Sequence, residues 1–223
     1  MERRSITGRA AVVIAFGIAM AYLESACVVY LQRAVGLTPA HLFPIRDAAS
    51  LQGLAGIELG RELATLVMLA AIGMLIGRTP LERLAWTSVT FGVWDIAYYL
   101  WLDVFIGWPT SPGTWDLLFL LPAPWAGPVW SPVAVSLALI GFGLAVPAIG
   151  ASGRRVRLAR ADALLLGLGG AVVLVAFLWN AGTVLDGGVP TTFPWPVFVA
   201  GMVLGILGAA HAVRAARTDG HAA

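Results

Sequence analysis

Long apolar runs separated by short polar or proline-rich intervals organise this chain from end to end. A helix rises about 1.5 Å per residue and needs about 20 apolar residues to cross roughly 30 Å of hydrocarbon. Six segments meet or approach that length: residues 10–31, 56–77, 84–106, 129–149, 161–178 and 195–213. Charges interrupt the second and third, which leaves their ends the least defined. The pattern predicts an all-α, polytopic membrane bundle of six transmembrane helices, with residues 1–223 forming one domain.

The first run also has features of a secretory leader. Arg3, Arg4 and Arg9 precede it, and Ala19-Met20-Ala21 resembles a cleavage site. The run continues past Glu24 through Val28, Val29, Tyr30 and Leu31, beyond the usual length of a leader's apolar core. A retained first helix is therefore the expectation.

The intervals differ by side. Arg3, Arg4, Arg9, Arg78, Arg83, Arg154, Arg155, Arg157, Arg160, Arg214 and Arg217 fall in one set of alternate segments, eleven of the 14 basic residues. Only Arg33, Arg46 and Arg61 fall in the other. Basic residues accumulate on the cytoplasmic side of membrane helices, so the expected topology has both termini inside. The inner links are short and basic. The outer links, about 32–55, 107–128 and 186–194, are longer and rich in proline and tryptophan. Within the second of these, Thr114 followed by Trp115 to Leu121 and then Pro122 reads as a short capped helix near 114–121, interfacial or re-entrant and too short to span.

Composition agrees with this picture and narrows it. The chain is 59% hydrophobic and 12% charged, with a mean hydropathy of +0.86; a soluble domain carries about a quarter charged residues. There is no lysine, and the arginines form no continuous stripe that could track phosphates, which argues against nucleic-acid binding. Cys27 is the single cysteine, which excludes an internal disulfide. Abundant alanine, glycine and arginine suggest a bacterial gene, and with it the inner membrane. Glycines four apart, at Gly56 and Gly60, Gly73 and Gly77, and Gly201 and Gly205, suit close helix packing within the chain or between two copies.

Ionisable side chains at membrane depth are expensive and so mark candidate sites. Glu24 lies about 14 residues, or roughly 21 Å, from the inner end of the first run. Glu62 lies about 6 residues, or roughly 9 Å, below the outer end of the second. The two carboxylates therefore occupy a similar level, with Asp95 slightly deeper and Tyr98 and Tyr99 close to Glu24. Glu58, Glu62 and Thr65 share a helical stripe, and Arg61 is the one base at this depth, placed to pair with Glu24. Asp116 and His41 in the outer loops are positioned to cover such a pocket. Four acids against one arginine call for water access, protonation or a bound cation.

Recognised catalytic and cofactor motifs are missing. There is no His-x-x-x-His, no Gly-x-Ser-x-Gly and no glycine-rich phosphate loop, so neither a metal nor a cofactor is expected. Two functional readings follow. In the first, Glu24, Arg61, Glu62, Asp95, Tyr98 and Tyr99, with Glu58, Asp116 and His41 near them, form a site opening to the extracytoplasmic face. That site binds, modifies or transports a small or lipidic ligand, and the sequence does not separate enzyme from transporter. In the second, the chain is a non-catalytic subunit of a larger membrane complex, or a homodimer, meeting its partner through glycine faces and aromatic loops.

Overall fold

The structure, a computed structural model, describes residues 5–34 and 48–218, with backbone only over 48–55. Its elements in chain order are α1 (Ile6–Ala34), α2 (Ala48–Ile76), α3 (Pro80–Ile106), β1 (Trp115–Phe119), β2 (Trp125–Pro128), α4 (Trp130–Ala151), α5 (Arg160–Leu178), α6 (Ala181–Leu185) and α7 (Trp195–Thr218). Among the described residues, six helices are long and apolar enough to cross a membrane, the fifth being α5 and α6 taken together. Their outer faces are apolar: Leu75, Val104 and Leu164 are 81%, 70% and 71% exposed. Lipid, which makes no demand for polar groups, suits such a surface.

Helix ends follow local chemistry. Thr79 caps α3, its hydroxyl accepting from the Glu82 N–H at 3.1 Å, and Pro80 occupies the first turn, where no N–H is needed. Gly107 ends α3 with φ of 65°, a left-handed conformation open to glycine at no steric cost. Asp162 accepts from the Ala159 N–H at 2.9 Å at the start of α5.

The helices form two groups. In the first, α1, α2 and α4 surround α3, whose buried Trp86, Val89, Trp94, Ala97 and Leu102 supply the core. Gly92 and Gly143 allow α3 and α4 to touch; a Cβ at Gly143 would stand 2.5 Å from Ala85 O. Gly73 and Gly77 pack α2 against the start of α3 in the same way. In the second group, α5 pairs with α7. A Cβ on Gly169 would lie 2.6 Å from Gly205 N, and one on Gly201 would lie 2.8 Å from Val173 N. These glycines thus serve packing inside the chain, whereas Gly56 and Gly60 face open space. The α5–α7 pair reaches the other helices mainly through α4 and through β2, and α4 and α5 stand apart.

The segment read as a helix near 114–121 is a β-strand. β1 pairs antiparallel with β2, with Trp115 opposite Pro128, Asp116 opposite Gly127 and Leu117 opposite Ala126, and an irregularity before Phe119. The hydroxyl of Thr114 accepts from the Ser111 N–H at 3.1 Å, organising the preceding turn and capping no helix. The physical reason is that an isolated stretch this short cannot nucleate a stable helix, and Pro122 and Pro124 prevent its extension. A paired strand is available ten residues on and satisfies the backbone. Asp116, Ala126 and Gly127 are buried beneath the ends of α3, α4 and α5, consistent with the rule that non-helical backbone in a membrane protein is sheltered by protein.

Candidate functional site

Three helices and the hairpin contribute polar side chains to one cavity of about 1290 Å³. Among the residues singled out from sequence, Glu24, Glu58, Arg61, Glu62, Asp95, Tyr98, Tyr99 and Asp116 all line it. His41 lies outside the described residues.

Arg61 is the hub. It projects from α2 between two acids, with Nη1 on Glu24 of α1 and Nη2 on Glu58 at 2.9 Å, one turn back on its own helix. Its Nε also donates to Glu58 Oε2 at 2.9 Å. Glu24 is 7% exposed, and its second oxygen accepts from the Thr65 hydroxyl at 2.9 Å. A carboxylate buried so deeply would be costly alone; a guanidinium plus a hydroxyl offset that cost. The stripe of Glu58, Glu62 and Thr65 visible in the sequence is what allows α2 to present its polar groups toward α1 and the hairpin.

Glu62 has a different task. Both of its oxygens stand 3.0 Å from the Leu120 N–H, just beyond the end of β1. The carboxylate thus takes up a backbone donor that the two-stranded pairing leaves free, and it ties α2 to the hairpin.

Asp95 and Asp116 are held by hydroxyls that the sequence reading only half anticipated. The Ser136 hydroxyl of α4 donates to Asp95 Oδ2 at 2.8 Å. Tyr99 donates to Asp116 Oδ2 at 2.9 Å, and the Leu117 N–H donates to Oδ1 at 2.8 Å. Asp116 sits in the hairpin, where burial pushes its carboxyl up to about 6 against the lowering effect of the Tyr99 and Leu117 donors. Ser136 is the partner that sequence reasoning missed. The signal in the sequence is a hydroxyl residue inside an apolar run, and the structure buries it completely.

Tyr98 and Tyr99 diverge. Tyr99 is tied to Asp116, whereas Tyr98 lines the cavity and its hydroxyl makes no hydrogen bond among the described residues. The Tyr98 ring packs near Trp94 and Tyr99, at centroid distances of 6.3 and 5.3 Å, which fixes its direction. Its backbone carbonyl accepts from the Ser25 hydroxyl at 3.1 Å, joining α1 to α3 beside Glu24.

The lining therefore carries six carboxyl groups, Asp186 included, and one guanidinium, and besides the Tyr98 hydroxyl the Trp94 Nε1, Trp125 Nε1 and Arg61 Nη1 donors are unengaged among the described residues. Among the described residues, no group of three or more histidine, cysteine, aspartate or glutamate side chains is close enough to hold a metal ion. The cavity does not stop at the polar wall. It continues between α4 and the α5–α7 pair, past Phe142, Leu166, Val173 and Ile206.

The opposite, arginine-rich end carries two separate ties. Arg9 lies 3.6 Å from Glu82 and stacks over Trp86 at 5.7 Å, joining α1 to α3. His211 Nδ1 lies 2.6 Å from Asp162 Oδ1, joining α7 to α5. Both are remote from the cavity's polar wall. No family model, no curated protein and no solved structure matches the chain.

Proposed function

We propose that this protein binds a small or lipidic ligand in the cavity walled by Glu24, Glu58, Arg61, Asp95, Tyr98 and Asp116, and modifies or transports it there. The observation that carries the reading is the Tyr98 phenol: it lines a large cavity, its hydroxyl makes no hydrogen bond among the described residues, and acids stand on the surrounding walls. Buried polar groups are paired as a rule, and an unpaired one facing a cavity is a place for a ligand to bond. The acids supply acceptors and proton-holding groups, and Arg61 keeps Glu24 and Glu58 in position. Glu62 and Tyr99 hold the hairpin that roofs the cavity.

In this reading the arginine-rich end faces the cytoplasm and the hairpin faces outward, in the inner membrane of a bacterium. The supporting argument is that eleven of the 14 arginines fall in one set of alternate segments between the apolar runs of the sequence.

Ligand retention tests the proposal. The protein is purified in mild detergent and then denatured, and its organic and aqueous extracts are compared by mass spectrometry with the bulk membrane. The expected result is a species enriched in the wild type and depleted in folded Tyr98→Phe and Asp95→Asn variants. Extracts from all three proteins that match the bulk membrane would contradict it. For a transporter, the purified species then drives flux in proteoliposomes; for an enzyme, it turns over in detergent without a gradient.

A further inference from the structure

We infer that the ligand is a lipid whose polar end donates hydrogen bonds, through hydroxyl or ammonium groups, and whose acyl chain lies between α4 and the α5–α7 pair. This deepens the reading above and rests on it.

The chain-binding leg follows from the cavity lining. From Phe177 back to Leu166 on α5, and from Met202 to Val213 on α7, every lining residue is apolar or glycine. Eleven residues of helix span about 16 Å, close to the roughly 15 Å of one leaflet's hydrocarbon, half the core thickness. On the facing side α4 contributes Ala138 and Phe142. A wall of this composition offers a water-soluble ligand nothing to bond. It is continuous with the polar wall, so one amphiphile can fill both parts.

The headgroup chemistry follows from the charge balance of the wall and from its free carboxyl oxygens. Arg61 is the only cation on the cavity wall among the described residues; it is ion-paired with Glu24 and Glu58, although its Nη1 makes no hydrogen bond. A phosphate monoester would therefore meet six carboxyls, Asp186 included, and a single guanidinium already ion-paired with two of them. Acceptors, by contrast, remain: Asp95 Oδ1 and Glu58 Oε1 have no donor among the described residues, since Ser136 and Arg61 use the other oxygen of each. Hydroxyl or ammonium donors match this set.

The glycines provide a way to block the chain-binding leg without disturbing the fold. Gly170 and Gly205 both line the cavity, and a Cβ at either position meets nothing within 4 Å. Gly167 is equally open but does not line the cavity. The test uses photoaffinity labelling in phosphatidylcholine nanodiscs. Three probes share one diazirine-bearing hexadecyl chain and differ in the head: an ammonium, a glycerol diol and a phosphate monoester. The expected result is saturable labelling by the ammonium or diol probe, at least tenfold above the phosphate probe. Gly170→Phe and Gly205→Phe should each reduce it about tenfold, with Gly167→Phe unchanged. Labelled peptides should map to α4, α5 or α7.

The possible failures are distinct. Equal or stronger labelling by the phosphate probe overturns the headgroup assignment. Labelling that survives both phenylalanine variants but is lost in Tyr98→Phe overturns the chain-binding leg and leaves the polar site standing. Labelling that no variant changes, Tyr98→Phe included, overturns both.

Discussion

The carboxylate of Glu62 on α2 holds the backbone N–H of Leu120 at 3.0 Å from each oxygen, across 58 residues of sequence. Together with the Tyr99–Asp116 bond, this contact fastens the hairpin over the cavity that Glu62 also lines. It predicts different behaviour for two substitutions at one position.

Glu62→Gln keeps an oxygen acceptor for Leu120, so the variant should fold and retain ligand with little change. Glu62→Ala leaves the N–H unpaired and should destabilise the protein by about 1–3 kcal/mol. Thermal unfolding in detergent measures both. Equal loss in the two variants would show that the negative charge, rather than the hydrogen bond, is what matters.

Arg61 and Glu24 form an ion pair between α2 and α1 in which Glu24 keeps only 8% side-chain exposure. Removing one partner strands the other, so Arg61→Ala should cost about 3–5 kcal/mol. Replacing both with apolar residues, as in Arg61→Met with Glu24→Leu, removes the stranded charge and should recover a good part of that loss. Glu58 keeps 19% side-chain exposure and is less affected. A double-mutant cycle on chemical or thermal unfolding provides the measurement; additive losses would mean that the two groups do not interact.

Asp116 makes stability depend on pH. Its folded value, about 6, lies above its ordinary 3.8. Its contribution is therefore fully present below about pH 4 and is lost as pH rises through about 6. The wild type should show a higher Tm at pH 5 than at pH 8 by an increment that Asp116→Asn abolishes. An Asp116→Asn profile that runs parallel to the wild type across this interval would assign the dependence to another group.

The spanning helices were legible because their signal is additive: about twenty apolar residues outweigh single charges such as Glu24 or Asp95. Helical rise converts residue number into position along a helix and so assigns Glu24, Glu62 and Asp95 a similar level; in the structure the three line one cavity. The hairpin was not. Thr114, an apolar run and Pro122 give the local signs of a short helix, and the strand that overrides them, Trp125–Pro128, is recognised only once the chain returns on itself. Division of labour among the acids was equally hidden. Nothing in spacing distinguishes Glu58, which faces Arg61, from Glu62, which faces Leu120, because the choice depends on where the hairpin comes to rest. Ser136 went unnoticed because one hydroxyl in an apolar helix usually bonds its own backbone; here it reaches Asp95 instead.

An electron cryo-microscopy map of the protein in native-lipid nanodiscs tests the central claim most directly. The account expects elongated density with its polar end within hydrogen-bonding distance of the Tyr98 hydroxyl and Asp95, and its tail between Phe142 and Val173. An ordered map in which the Tyr98 hydroxyl is bonded to a protein group and side chains close the space between α4 and α5 would contradict it.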